Sequence, residues 1–310
     1  MAQRHNSCQI ERGLRYLLPG RRIALDNQTD YLRTLIGLMI WVLGPPYLAR
    51  LLGRRKAHKT VSWLQHWWSR SLGAYLGLQL DITGLQHIQP GQTYIITPLH
   101  EGLVDALVIL HLPLPMRFVV RDEFLNWRLL GPYLRDTDQI VICPERGREG
   151  FRQVVKQAQP LLAVGQSLVI FPQGSILGIE IDCMSGAFAL ARRLQQPVLP
   201  VALTGSHRVW EHPYSPRLRY GQRVSLRILQ PIAVTTYQTY TTDDLRQLVQ
   251  QRLKTAAVDG SMVAPRRFVP SRDGYWDAYA YRIDPQFACL AAQVAQHRAN
   301  RTSGTSIDLG

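Results

Sequence analysis

Six short apolar runs, divided mostly by helix-like segments, constrain the fold of this chain more than any other feature. They are "TYIIT" (93–97), "MRFVV" (116–120), "QIVIC" (139–143), "SLVIF" (167–171), "PVLPVAL" (197–203) and "RVSLRIL" (223–229). Helix-like patterns lie around 101–111, 123–130, 148–164 and 185–195. Strands that alternate with helices assemble into one largely parallel sheet, and near-continuous apolar runs suit strands covered on both faces. The expected fold class is therefore α/β: a mixed, mostly parallel sheet flanked by helices. A further amphipathic helix, "TDDLRQLVQQRLKTAA" (242–257), is opened by Asp243 and Asp244, whose charge favours a helix N-terminus.

The region before the first run has a different character. From residue 1 to 70 there are twelve Arg and Lys against Glu11, Asp26 and Asp30, so most of the chain's net charge of +14 sits at this end. The same end is greasy. "LIGLMIWVLGPPYL" (35–48) is uncharged but broken by Pro45 and Pro46, and it falls short of the roughly 20 residues that span a bilayer. It reads as a re-entrant or surface-lying segment. "VSWLQHWWSRSLGAYLGLQL" (61–80) sets Trp63, Trp67, Trp68 and Tyr75 among apolar residues, just after the basic "RLLGRRKAHK" (50–59). Rings at headgroup level beside cations that meet anionic lipid are what an interfacial helix pair needs. The plainer alternative is a helix pair packed on the protein's own core. The first 30 positions carry charged and polar residues with no small-residue cleavage site, so no signal peptide is expected. The chain is read as a membrane-associating helical segment (1–80), an α/β domain (81–258) and a C-terminal extension (259–310) with no chemical reading, although "RDGYWDAYAYRIDPQF" (272–287) is rich in aromatics.

Cys8, Cys143, Cys183 and Cys289 have neither metal-ligand nor redox spacing, which points to reduced, partly buried thiols in a cytosolic compartment, and no metal site is expected. Of the 36 basic residues only four are Lys, and the planar fork of Arg suits phosphate, so anionic ligands, anionic membranes and nucleic acid all enter consideration. The charge lies beside an apolar segment, and no C2H2 or RNP1-like motif is present, which places nucleic acid last.

Chemistry concentrates where strands end. His100 follows the first run at its junction with a helical pattern, and Asp105 comes five residues later. On one continuous helix the two would lie about 140° apart. With His100 in the turn before the helix and Asp105 in its first turns, the imidazole can fold back onto the carboxylate. Asp105 then fixes the tautomer and leaves the far ring nitrogen as a general base. "VICPERG" (141–147), "LVIFPQGS" (168–175) and "PVLPVALTGS" (197–206) likewise put polar or turn residues at carboxyl ends of strands, where open α/β sheets bind ligands. The bland readings are a satisfied core histidine at His100, a helix-start charge at Asp105, a surface ion pair of Arg146 with Glu145, and a simple turn at Gly174–Ser175. No nucleophile elbow surrounds Ser175.

Taken together, "GLQHIQPGQTYIITPLHEGLVDAL", "CPERGREGF", "SLVIFPQGS" and "SGAFALARRLQQPVLPVALTGS" resemble the four blocks of the glycerolipid acyltransferases typified by 1-acyl-glycerol-3-phosphate acyltransferase. The resemblance covers roughly 80–230. It implies transfer of an acyl group from an acyl carrier protein or CoA thioester to a lysophospholipid hydroxyl, without a covalent acyl-enzyme and without a cofactor beyond the donor. It implies His100 as base and Asp105 as its orienter. Arg146 becomes a phosphate contact, and Gln173, Gly174 and Ser175 join it in the substrate-binding group. Membrane lipids, the thioester carrier and the acceptor are then the partners, at the cytoplasmic face of a membrane. Three positions depart from the pattern: Leu99 replaces a small polar residue, Gln173 a glutamate and Ile176 an arginine that binds phosphate. Arg117, Arg121, Arg148 and Arg152 are the cations placed to compensate. A non-phosphorylated hydroxyl or amine acceptor, or a non-catalytic lipid-binding protein of the same fold, are the competing readings.

Overall fold

The structure, a computed structural model, describes residues 16–18, 23–42, 44–211, 214–273 and 281–302. Its centre is a seven-stranded sheet of β1 (Gln79–Thr83), β2 (Ile95–Pro98), β3 (Met116–Arg121), β4 (Ile140–Ile142), β5 (Ser167–Val169), β6 (Val198–Thr204) and β7 (Arg223–Ile228). The spatial order is β1-β7-β6-β2-β5-β3-β4, and every neighbouring pair is parallel except β6 with β7. All six expected strands are present. β1 is an addition, paired in register with β7 from Gln79↔Arg223 to Thr83↔Arg227.

The longer helices are α1 (Gln28–Gly37), α2 (Pro45–Arg54), α3 (His58–Tyr75), α4 (Asp105–Ile109), α5 (Leu130–Asp136), α6 (Arg148–Ala163), α7 (Gly186–Leu194), α8 (Thr242–Ala257) and α9 (Ala288–Thr302). Side chains of a strand alternate between faces, and the core divides accordingly. Ile95, Leu168, Val198 and Ala202 join one cluster with Val154 of α6, Phe188 of α7 and Val249 of α8. Ile96, Val169, Leu199 and Val201 join another with Leu107, Val108 and Ile109 of α4. The start of α8 is a reciprocal cap. The Thr241 hydroxyl accepts from the Asp244 amide (3.1 Å) while the Thr241 amide donates to the Asp244 carboxylate (2.8 Å).

At the N-terminal end α1 continues through a π-helical stretch, Leu38–Val42, towards α2. The whole run Gln28–Arg54 is 27 residues long, with a mean hydropathy of 1.6 in its most apolar window, and by length and composition alone is long enough to cross a bilayer. The uncharged stretch 35–48 by itself is not, because it omits the helical turns on either side. Leu32, Ile36 and Ile40 recur every fourth residue and are exposed, as are Met39 (71% exposed) and, on α3, Trp63 (64%) and Trp67. The opposite side is bolted to the sheet domain. The Arg33 guanidinium lies 4.2 Å over the Tyr220 ring, Thr34 and Tyr220 share a hydroxyl bond of 2.9 Å, and Arg50 Nε donates to Asp136 (2.8 Å).

Candidate active site

Five strands of the sheet, β4, β3, β5, β2 and β6, run in one direction, so their carboxyl ends share one edge. That edge collects the segments following β2 (His100), β5 (Gln173–Ser175), β6 (Gly205–His207) and β4 (Pro144–Arg146). The expected helix at 101–111 is shorter than its pattern. Residues 101–104 form the turn, and Asp105 is the first residue of α4.

This shortening lets the ring fold back. His100 Nδ1 lies 2.6 Å from Asp105 Oδ2, which also accepts from the backbone amides of Glu101 (2.7 Å) and Gly102 (3.1 Å). Asp105 is fully buried, whereas the His100 side chain keeps 22% of its surface. An ionised carboxylate only accepts, so Nδ1 carries the proton and Nε2 has its lone pair free. Phe171, just past β5, stacks on the imidazole with centroids 4.1 Å apart and planes inclined by 20°.

The other predicted residues sort by what they touch. Gln173 is buried and occupied at both ends: its Oε1 accepts from the His100 amide (3.0 Å), and its Nε2 donates to the Gly178 carbonyl (2.9 Å). Both ends of its amide are thus engaged by backbone groups, one of them that of His100. Gly174 turns the chain at φ +65°, and Ser175 is buried beside it. Ile176, at the position of the missing arginine, is buried as well. Arg146 is 56% exposed and touches Glu149 only at 3.9 Å.

Of the compensating cations, Arg117 does not serve. It is the second residue of β3, at the edge of the sheet opposite His100, and is wholly buried with Nη1 bonded to the Met116 carbonyl (2.7 Å) and Ser62 Oγ (3.1 Å). Burial pulls its pKa down. Arg121 is at the correct edge but pairs with Glu145 (2.9 Å) and Glu123 (3.3 Å). Arg148 and Arg152 stand exposed on α6. Asp122, Cys143 and Glu145 bring their polar atoms within 4.8 Å of one another. Hydrogen bonding, first to Asp122, pushes the Cys143 thiol up. Cys183 is buried, its thiol pushed up to about 12 by desolvation; Cys289 is exposed, and Cys8 lies outside the described residues.

Glu101, which sequence reasoning passed over, ties this loop to two other segments of the chain. It is buried, and desolvation pushes its carboxyl up. It accepts from the Gly205 amide (2.7 Å), His207 Nδ1 (2.9 Å) and the Arg266 amide (2.8 Å). The only local signal was a carboxylate inside an otherwise apolar turn.

Residues 79–204, which include every predicted site residue, match the model of the Acyltransferase family. This segment is similar to that family. The chain is similar to the 1-acyl-sn-glycerol-3-phosphate acyltransferase of Limnanthes alba, 25% identical over 56% of this chain and 59% of the relative. It is 26% identical to the alpha form of that enzyme from Mus musculus, over 56% and 60% of the two chains. The chain thus spans about three fifths of the length of the relatives it matches. The fold is similar to that of the 1-acyl-sn-glycerophosphate acyltransferase of Thermotoga maritima, with a TM-score of 0.59 at 18% identity, covering 73% of this chain and 92% of that one.

Proposed function

We propose that the protein transfers an acyl group from a thioester of acyl carrier protein or CoA to the hydroxyl of a lysophospholipid, with 1-acyl-glycerol-3-phosphate as the leading acceptor, in phospholipid biosynthesis. The observation that carries this reading is the His100–Asp105 pair at the carboxyl edge, its Nδ1 bonded to a buried carboxylate at 2.6 Å and its Nε2 left as a base. Nε2 takes the proton of the acceptor hydroxyl as the oxygen attacks the thioester carbonyl. Collapse of the tetrahedral intermediate breaks the C–S bond, and the imidazolium returns its proton to the departing thiolate. Asp105 stabilises the imidazolium between these two transfers. The names of the relatives support the reaction class and the acceptor.

Arg146 is the motif-matched cation for the phosphate. Its strand stands three places from β2, roughly 14 Å at the usual strand spacing, a separation that the length of an arginine side chain shortens. Buried Ile176 supplies no charge at the third block, and this favours a second reading in which the acceptor is a hydroxyl or amine without phosphate. The apolar exposed faces of α1 and α3 support attachment to a membrane, in this reading at its cytoplasmic face.

One experiment tests both levels. Purified protein is given acyl carrier protein or CoA thioesters with phosphorylated and phosphate-free acceptors. Loss of the base should lower turnover by about 10²–10⁴-fold in folded His100→Ala, and near-wild-type turnover would end the mechanism. Arg146→Ala should raise acceptor KM by about tenfold or more, as charge-assisted hydrogen bonds are worth about 1.5–3 kcal/mol, with donor KM unchanged. An unmoved acceptor KM, or equal use of a phosphate-free acceptor, selects the second reading.

A further inference from the structure

After α8 the chain returns over the carboxyl edge of the sheet. The Val263 amide donates to Ser225 Oγ (3.1 Å), the Arg266 amide to Glu101 (2.8 Å) and the Phe268 amide to Glu180 (2.9 Å), while the Arg266 carbonyl accepts from the Ile179 amide (3.2 Å). The approach is close. A Cβ on Gly178 would meet Phe268 N at 2.8 Å. The Arg266 guanidinium is buried between Asp273 (2.9 Å) and Glu211 (2.5 Å) and also bonds the Leu177 carbonyl. Residues 263–273 therefore join three loops that leave the sheet at the active-site edge: the one with His100, the one after Gln173 and the one after β6.

Glu101 is where the first of these loops is gripped. Its amide donates to Asp105, and its carboxylate receives Gly205, His207 and Arg266. We propose that residues 263–273 are a positioning strap for the catalytic loop, and that Glu101 is the positioning residue through which the strap keeps His100 in register with Asp105. This rests on the reading of His100 as the base. Three donors converge on Glu101, and an acceptor-only carboxylate takes all three. An amide in its place would turn an NH2 towards at least one donor, whichever way it is rotated. Catalytic geometry is sensitive to such loosening, since a displacement of about 1 Å can lower a rate by about 10²-fold.

The test compares full-length wild type, His100→Ala, Glu101→Gln and the isosteric strap variant Asp273→Asn, each checked for folding by circular dichroism. Arg267→Ala, which removes the strap's pair with Glu180 from its exposed side, takes the place of Asp273→Asn, with the same expected outcome, if that variant does not fold. The strap predicts a kcat fall of between about tenfold and hundredfold in Glu101→Gln and a smaller fall in Asp273→Asn, with KM for donor and acceptor within about twofold. It also predicts faster hydrogen exchange at the Glu101 and Gly102 amides in Asp273→Asn, although that substitution lies in the strap. Exchange that quickens only at 266–268, with kcat unchanged in both variants while His100→Ala is inactive, would overturn the strap alone. An active His100→Ala would instead remove the reading on which it rests.

Discussion

Gln173 is a residue whose neighbours dictate its type. The His100 amide can only donate and the Gly178 carbonyl can only accept, so the group between them must accept at one end and donate at the other. Glutamine does both. The glutamate implied by the family resemblance would here set a buried carboxylate oxygen against a carbonyl. Restoring it by Gln173→Glu should destabilise the fold by about 1–3 kcal/mol or more, lower Tm by several degrees and reduce kcat, as a thermal melt and a rate assay would reveal. An unchanged Tm would show that the Gly178 bond is not made. The pair His100 and Asp105 was legible in the sequence because strand, turn and helix signals bracket it within a dozen residues. Glu101 was not, because its partners are 104 to 165 residues away and no local pattern encodes them.

Among the elements, the six expected strands were legible because each carries an apolar run, and β2, β5 and β6 are buried along their whole length. β1 was missed although Leu80 and Ile82 alternate, since it is an edge strand whose burial is only partial and Asp81 interrupts the apolar pattern. The strap was illegible for a different reason: buried ion pairs, with no periodicity, hold it. The aromatic stretch 272–287 docks in part, with Tyr281 packed beside Phe268, while 274–280 lie outside the described residues. The stretches 35–48 and 61–80 were recognised by their apolar residues and, in the second, by aromatics just after a basic segment, and the exposed apolar side chains of α1 and α3 lead to a direct expectation. Burying each such side chain in lipid contributes about 1.5–3 kcal/mol. Trp63→Ser with Trp67→Ser should therefore reduce partitioning onto anionic vesicles by about tenfold or more in a sedimentation assay, while salt weakens binding of the wild type without abolishing it. Partitioning of the double variant equal to wild type would place the contact elsewhere.

At the scale of the whole molecule, the greasy helices and the sheet domain are joined without slack. Only residues 76–78 separate α3 from β1, and Arg33, Thr34 and Arg50 fasten α1 and α2 to Tyr220 and Asp136. A head on a loose tether could dip into a neighbouring vesicle; one mounted this firmly cannot. Its reach should stop at the leaflet that carries it. When protein-bearing vesicles without acceptor are mixed with protein-free vesicles loaded with a two-chain, non-exchanging acceptor analogue, product should appear only after fusion. The enzyme would then be a resident that modifies its own patch of bilayer, dependent on lateral diffusion in two dimensions for every new acceptor it meets.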